Sequence, residues 1–171
     1  GDEPLDAGVG AVEKGRAQIG APEGEQRLVA LVAHLVDVTA QRIATVSGRF
    51  YAMDRDNRWE RVGAAVDAIL RARGGHAPSA AQAIAAAYAR GEPDEFVTPT
   101  VIDDYAGARD GDGLAFANFR ADRAREILSA LIAPDFTAYD VGPRPSFATV
   151  LGMVEYSDLH NACMSAAFPQ R

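Results

Sequence analysis

The stretch that most constrains the fold runs from Arg42 to Arg61 and reads RIATVSGRFYAMDRDNRWER. Its β-branched apolar run, Ile43 to Val46, predicts a short strand that is buried on both faces. Gly48 ends this strand, and a polar loop then leads into a helix that begins near Asn57 and presents Trp59. Strands that feed helices through polar loops are typical of α/β proteins, which bind ligands beyond the carboxyl ends of their strands. We therefore expect an α/β fold with a site at this junction.

A second junction of the same kind lies further along the chain. The run Leu114 to Phe119 predicts a strand that continues directly into an amphipathic helix. Arg120 and Arg123 are three residues apart at the start of this helix, so both project from one face of its first turn. Because free backbone N–H groups and the positive end of the helix dipole point the same way, two guanidinium groups there would form an anion site. The alternative is that these arginines pair only with Asp122 and Glu126 on the helix surface.

The remaining elements follow from apolar spacing and from turn residues. The predicted elements are a helix with its apolar stripe over 28–38, a helix from Trp59 to Leu70 ended by Gly74 and Gly75, a helix opened by Ser79 and closed by Gly91, a strand at Thr100 to Ile102, and a last strand or packed connection around Met153, Val154 and Tyr156. Two capping boxes are predicted, Asn57 with Glu60 and Ser79 with Gln82. Together these elements predict a small central sheet, mixed or mostly parallel, with helices packed on its faces.

Composition narrows the class of partner. With 171 residues, 48% of them hydrophobic, the chain has room for one domain with a sizeable core. A formal net charge of -7 argues against general affinity for nucleic acid or an anionic membrane, because both need a basic surface. Cys163 is the only cysteine, which excludes an internal disulfide and suits a reducing compartment. Nearly all positive charge is arginine, which suits paired hydrogen bonds to carboxylate or phosphate, although genomic base composition would produce the same bias.

Metal-binding patterns are weak in this sequence. The three histidines, His34, His76 and His160, are widely separated, and we expect surface, loop and structural roles for them. Asp110 to Gly113 alternates aspartate and glycine, but the later ligands of a calcium loop are missing, so a tight turn is expected. Arg125 points away from the two arginines at the helix start and is expected to be solvated. We expect neither a metal site nor a catalytic residue in this chain.

Three segments together resemble a known family. They are VSGRFYAMDRDNRWERV, ARGEPDEFVTPTVI and GDGLAFANFRADRAREI, and they are similar, in this order, to cofactor-independent phosphoglycerate mutase, a two-domain enzyme. The resemblance runs from Arg42 to near Phe168, about three quarters of the chain. It implies that residues 42–171 form the substrate-binding domain, and that residues 1–41 are a poorly matched N-terminal arm and helix.

The resemblance also implies roles for four arginines. The GRFYAMDRD and NFRADRA motifs of the family each supply two arginines to the phosphoglycerate pocket, and the matching positions are Arg49, Arg55, Arg120 and Arg123. In the family a separate phosphatase-like domain holds a nucleophilic serine and two metal ions, usually manganese. The resemblance thus implies a cytoplasmic enzyme of glycolysis and gluconeogenesis that interconverts 2- and 3-phosphoglycerate, with the catalytic domain as partner.

Departures from the family pattern shape these expectations. No serine stands in a metal-ligand setting, so we expect the chain to be a fragment or truncated form that is inactive alone and has no cofactor of its own. The family's histidine-serine-histidine stretch and LDGRD-like loop are missing from residues 1–41, so the pocket is expected to be incomplete. Two alternatives stay open: a non-catalytic module that binds a phosphometabolite or another protein, and a domain that has kept no ligand.

Overall fold

The computed structural model describes residues 42–169, and the predicted helix over 28–38 lies outside them. The five helices within this range are α1 (Arg49–Ala52), α2 (Trp59–Arg71), α3 (Ala80–Ala89), α4 (Ala121–Ile132) and α5 (Asp158–Asn161). The six strands within it are β1 (Thr45–Val46), β2 (Gly75–Ala77), β3 (Thr100–Ile102), β4 (Gly113–Phe116), β5 (Thr149–Val154) and β6 (Ser165–Phe168). A 3₁₀ turn covers Asp94–Phe96.

The strands form two small sheets. The first has the order β1-β3-β2, with β1 antiparallel and β2 parallel to β3. The second has the order β4-β5-β6 and is parallel throughout. The predicted α/β class with a mixed or mostly parallel sheet is confirmed, but the strands divide between two sheets where one central sheet was predicted.

The main core lies where α2 packs against α4. Its fully buried members come from both helices and include Val62, Val66, Leu70, Ile127 and Leu131. Their spacing of four residues along each helix produces the apolar stripe that this packing buries. Because each of these helices follows one of the two predicted junctions, their packing brings the junctions side by side.

A smaller core lies between α3 and the first sheet. Ala80 and Ala83 of α3 pack against Ile102 of β3. The small alanine side chains allow the helix to approach the sheet closely, and β3 is buried along its whole length. The prediction of a strand at Thr100 to Ile102 is confirmed.

Both strands that precede the arginines are shorter than predicted. Only Thr45 and Val46 form β1, and the run from Ile43 to Val46 is half-buried, not buried on both faces as predicted. Strand β1 pairs only with β3 among the described strands. Strand β4 ends at Phe116, not at Phe119, whose side chain is 67% exposed. Residues 117–120 have no regular secondary structure and connect β4 to α4.

One of the two predicted capping boxes is wrong. Helix α2 begins at Trp59, and Asn57 adopts a left-handed conformation with φ 57°, so it does not cap the helix. The second box is confirmed at its N-cap, since the Ser79 hydroxyl accepts a hydrogen bond from the Gln82 amide. Its helix ends before Gly91, which has φ 79°.

The end of α2 also differs from the prediction. Ala72 takes the left-handed position with φ 51°, where Gly74 and Gly75 were expected to end the helix. Gly75 instead begins β2, which pairs with β3, and this strand contains His76, predicted to lie in a loop. No helix in the described range 42–169 is long and apolar enough to span a membrane.

Candidate functional site

A cleft of about 250 Å³ lies between the two junctions and concentrates positive charge. Its ten lining residues are Arg49, Phe50, Met53, Asp54, Asp56, Arg58, Arg61, Glu95, Arg120 and Arg123. Five arginines therefore face three acidic residues in a chain whose formal net charge is -7. Such local reversal of the overall charge favours a small anion.

Arg49 enters the cleft because Gly48 allows two backbone segments to touch. The Gly48 amide donates to the Val97 carbonyl at 2.8 Å. A Cβ atom at this position would lie 2.6 Å from the Val97 nitrogen and would also clash with the Glu95 carbonyl. This close approach places the Glu95 carboxylate 2.6 Å from Nη2 of Arg49.

Arg120 and Arg123 come from the start of α4, as the sequence predicts. Arg120 is the N-cap residue, and its Nε donates to the Asp122 carboxylate at 3.1 Å. Arg123 reaches across to the first junction, where its Nη1 donates to the Met53 carbonyl at 3.0 Å. The pairing of Arg120 with Asp122 shows that part of the surface-pairing alternative also holds.

Arg55 lies beside this cleft and does not line it. It lines a wider cleft of about 580 Å³ together with Asp122, Glu126 and Trp59. Its Nη1 donates to the Asp122 carboxylate at 2.9 Å, so Asp122 bridges Arg55 and Arg120. The hydrogen bond from Arg55, followed by that from Arg120, lowers the pKa of Asp122. The structure thus brings three of the four predicted arginines into one cleft and links the fourth to it through Asp122.

Arg58 and Arg61 also line the cleft, and the sequence reasoning missed them. The guanidinium carbon of Arg61 lies 3.7 Å from the centre of the Phe50 ring, and its Nη1 is 3.7 Å from the Asp54 carboxylate. A signal was present in the sequence, because Arg55, Arg58 and Arg61 recur at intervals of three. That interval places the last two on one side of the first turn of α2.

Two carboxyl groups are buried beneath these arginines. Asp54 is 5% exposed, and its Oδ2 accepts hydrogen bonds from the amides of Asp56 at 3.0 Å and Arg58 at 2.9 Å. Glu126 is 8% exposed, and its Oε1 accepts from the Asn57 amide at 2.9 Å. Burial alone would raise the pKa of Asp54, but the two amides and Glu126 lower it. Burial and the neighbouring Asp54 raise the pKa of Glu126.

Two predictions about α4 and α5 can be compared with the structure. Arg125 is exposed, but its Nε donates to the Tyr156 carbonyl at 2.8 Å, so it is not simply solvated as predicted. His160 is buried, and its two ring nitrogens lie 3.0 Å from the Ser129 hydroxyl and 2.7 Å from the Ser157 hydroxyl. Burial lowers the pKa of this imidazole.

The described residues offer anion-binding groups but no metal cluster. Within residues 42–169, no group of three or more histidine, cysteine, aspartate or glutamate residues could hold a metal ion. Carboxylate oxygens of Glu95 and Asp122 accept hydrogen bonds from the guanidinium groups of Arg49, Arg55 and Arg120. A carboxylate or phosphate of a ligand would offer the same guanidinium groups equivalent oxygen acceptors. The geometry therefore supports capture and orientation of a small anionic compound.

Comparison with known proteins places the chain in a family. Residues 10–158 match the family described as BPG-independent PGAM N-terminus. The chain is 64% identical over 132 residues to the 2,3-bisphosphoglycerate-independent phosphoglycerate mutase of Paracoccus denitrificans, covering 77% of this chain and 26% of that protein. It is 57% identical over 152 residues to the enzyme of the same name from Dinoroseobacter shibae, covering 88% of this chain and 30% of that protein.

A solved structure agrees with these relatives. It is a Leishmania mexicana phosphoglycerate mutase crystallised at low cobalt concentration, which superimposes with a TM-score of 0.71 at 26% identity. The match covers 85% of this chain and 28% of that one. The chain thus spans between about a quarter and a third of the length of the proteins it matches. The resemblance noted from the sequence is confirmed, and the chain belongs to the family of N-terminal domains of 2,3-bisphosphoglycerate-independent phosphoglycerate mutases.

Proposed function

We propose that this chain is the substrate-binding part of a cytoplasmic phosphoglycerate mutase that interconverts 2- and 3-phosphoglycerate in glycolysis and gluconeogenesis. In this proposal Arg49, Arg55, Arg120 and Arg123 hold the phosphoglycerate. The observation that carries it is the convergence of arginines from two separate strand-to-helix junctions on one cleft, in a chain of this family. Phosphoglycerate carries a carboxylate and a phosphate, which are the groups that guanidinium pairs bind best.

The contribution of these arginines to the reaction would be positioning. Phosphoryl transfer would take place on a phosphatase-like domain outside this chain, with a serine as nucleophile. Two manganese ions bound there would supply charge stabilisation for the transfer. The arginines would keep the glycerate within the pocket while it turns and presents its other hydroxyl. The glycerate would therefore not diffuse into solvent before the phosphoryl group returns to it.

Calorimetric titration with 3-phosphoglycerate at low salt tests the binding step. We expect the parent chain to bind and an Arg120→Ala, Arg123→Ala double variant to lose binding, because both guanidinium groups face the cleft. A matched control is the Arg73→Ala, Arg109→Ala double variant, which removes the same charge at positions that do not line the cleft. Equal loss in both variants would indicate a net-charge effect, and absence of binding by the parent at millimolar ligand would contradict the proposal.

Turnover measurements distinguish the substrate-binding domain of a mutase from the alternative of a non-catalytic module. We expect no mutase activity from this chain alone with manganese added, and detectable turnover would contradict the division of labour proposed here. Mixing the chain with the phosphatase-like remainder of the Paracoccus denitrificans relative should restore some interconversion. Binding of 3-phosphoglycerate without any restored turnover would favour the module.

A further inference from the structure

The buried carboxyl of Glu126 has one oxygen that no described residue satisfies as an acceptor. Its Oε1 accepts from the Asn57 amide, whereas Oε2 is buried without a hydrogen-bond donor in the described range. The neighbouring group is the Asp54 carboxylate, which cannot donate to it while ionised. A buried charged oxygen without a partner is costly, and a proton shared between the two carboxyl groups would remove that cost.

We propose that Glu126 carries this proton and donates a hydrogen bond through it to Asp54. The resulting acid–carboxylate pair fixes the loop 53–58 on α4 and thereby positions the arginines of the cleft. The pair connects the two junctions, since Asp54 belongs to the first and Glu126 to the helix of the second. The part of this proposal that concerns phosphoglycerate rests on the proposed function. The position of the proton is independent of that function.

The position of the pair explains how it would act on the arginines. The same loop supplies the Met53 carbonyl that accepts from Arg123, and it supplies Arg55, which pairs with Asp122. The Asn57 amide that binds Glu126 belongs to the loop as well. Loss of the shared proton would place two negative charges in buried contact, and the loop would separate from α4. All these contacts would then change together.

Several charged groups surround the pair. Those of the loop and of the start of α2 are Asp56, Arg55, Arg58 and Arg61, and those of α4 are Asp122 and Arg125. Arg58 favours the ionised form of Asp54, whereas Asp56 disfavours ionisation of Glu126. The opposite directions of the two pKa shifts agree with one proton held on Glu126.

The sign of the pH dependence follows from these directions. The pKa of Glu126 is raised above its usual 4.5, so its stabilising contribution is complete below 4.5 and is lost as pH rises through the raised value. The pKa of Asp54 is lowered below 3.8, so its contribution is complete above 3.8 and is lost as pH falls through the lowered value. The pair is therefore complete between the two shifted pKa values, and on the alkaline side it is weakened as pH rises through the pKa of Glu126.

Carboxyl carbon NMR of the full chain tests the proton directly. We expect the Glu126 signal to titrate above pH 4.5, and to disappear in the E126Q variant without unfolding the protein. In E126Q the amide would donate to Asp54 and its oxygen would still accept from Asn57, so the loop would stay in place. Titration of Glu126 at or below 4.5 in the folded chain would overturn the proposal.

Titration with 3-phosphoglycerate across pH tests the effect on the cleft. The parent should lose affinity as pH rises through the Glu126 pKa, whereas E126Q should lose none beyond what ionisation of the ligand phosphate itself produces. The E126L variant should bind about tenfold more weakly at every pH, because Asp54 and the Asn57 amide lose their partner. Glu60, an exposed acid in the first turn of α2, provides the control, and E60Q should keep the parent profile.

The two measurements separate the failure of this inference from the failure of the proposed function. If the parent binds no 3-phosphoglycerate at any pH, the proposed function fails while the NMR titration still decides whether the proton is shared. If the parent and E126Q bind with the same pH profile, binding stands and the positioning role is overturned.

Discussion

The two junctions that supply the cleft are held in place by different means. At the first junction, Asp54 accepts hydrogen bonds from amides two and four residues further along, and Gly48 packs against a neighbouring turn. At the second junction, the Tyr156 hydroxyl lies 3.2 Å from the Phe116 carbonyl and 2.5 Å from the Asn118 carbonyl. The first junction is thus held by amides of its own loop and, at Gly48, by a close backbone approach to the turn at Glu95 and Val97, whereas the second is held by a side-chain hydroxyl from a distant part of the chain.

The most destabilising change that we predict lies at Gly48, in the first junction. Gly48→Ala should lower the free energy of unfolding by about 3 kcal/mol, because the added methyl group would overlap backbone atoms that cannot move aside. Urea unfolding measures this change. Gly63→Ala in α2 is the control, since its Cβ would meet only the Tyr139 ring at 3.4 Å and should be neutral or stabilising by up to about 1 kcal/mol. Equal stability of the two variants would show that the close approach at Gly48 is not a constraint.

The next prediction concerns the Tyr156 hydroxyl, which holds the second junction. Tyr156→Phe should destabilise the fold by about 1–2 kcal/mol, because it removes the hydroxyl that donates to the carbonyls of the half-buried Phe116 and Asn118. Tyr139→Phe is a matched control, since the Tyr139 hydroxyl is buried without a hydrogen-bond partner among the described residues. It should change stability by less than about 0.5 kcal/mol. Thermal unfolding of both variants measures these changes. A Tyr156→Phe variant as stable as the parent would show that this hydroxyl does not stabilise the second junction.

The side chain of Asn118 supports the second junction at the start of α4. Oδ1 of Asn118 accepts from the Arg120 amide at 2.8 Å, and Asn118→Ala should cost about 0.5–1 kcal/mol by leaving that amide without this partner. Asn118→Asp keeps an acceptor oxygen beside the positive end of the helix dipole and should retain stability. Urea unfolding of the two variants should therefore rank Asp above Ala, and the reverse order would contradict this role.

The weakest change that we predict is a dependence of stability on pH, which arises at His160 of α5. Because burial lowers the pKa of His160 below 6.5, the contribution of this residue to stability should be complete above 6.5 and should be lost as pH falls through the lowered value. This slope is opposite in sign to that expected of Glu126. Chemical unfolding across pH should show the decline in the parent and a weaker one in His160→Asn. An identical slope in both proteins would assign the proton uptake to another group.

Much of the fold could be predicted because local patterns specify it. The apolar stripes of α2 and α4 follow the period of an α-helix. The apolar, β-branched run Thr100 to Ile102 is typical of a buried strand. Strand β2 could not be found this way. Gly75, His76 and Ala77 have little β propensity and form a strand only because β3 pairs with them. Strand β6, made of Ser165–Phe168, was missed for the same reason, since its order comes from pairing with β5.

The site shows the same division between local and tertiary information. Arginines at helix starts are visible as spacing, so Arg120 and Arg123 could be named in advance. Arg55 was expected in the same cleft, but it turns toward Asp122 in the neighbouring one. The proximity of Asp54 to Glu126 could not be foreseen, because these residues are distant in sequence and meet only through the packing of α2 on α4.

The position of Trp59 makes tryptophan fluorescence a local probe of the molecule. It is the only tryptophan of the chain, and its ring centre lies 5.1 Å from that of Phe136 and 6.2 Å from that of Tyr139. It also opens α2 directly after the loop that carries Arg55 and Arg58. Intrinsic fluorescence excited at the indole therefore reports on a single place, next to the loop that carries Arg55 and Arg58. An emission change on addition of a phosphorylated metabolite would be a local optical signal that needs no label.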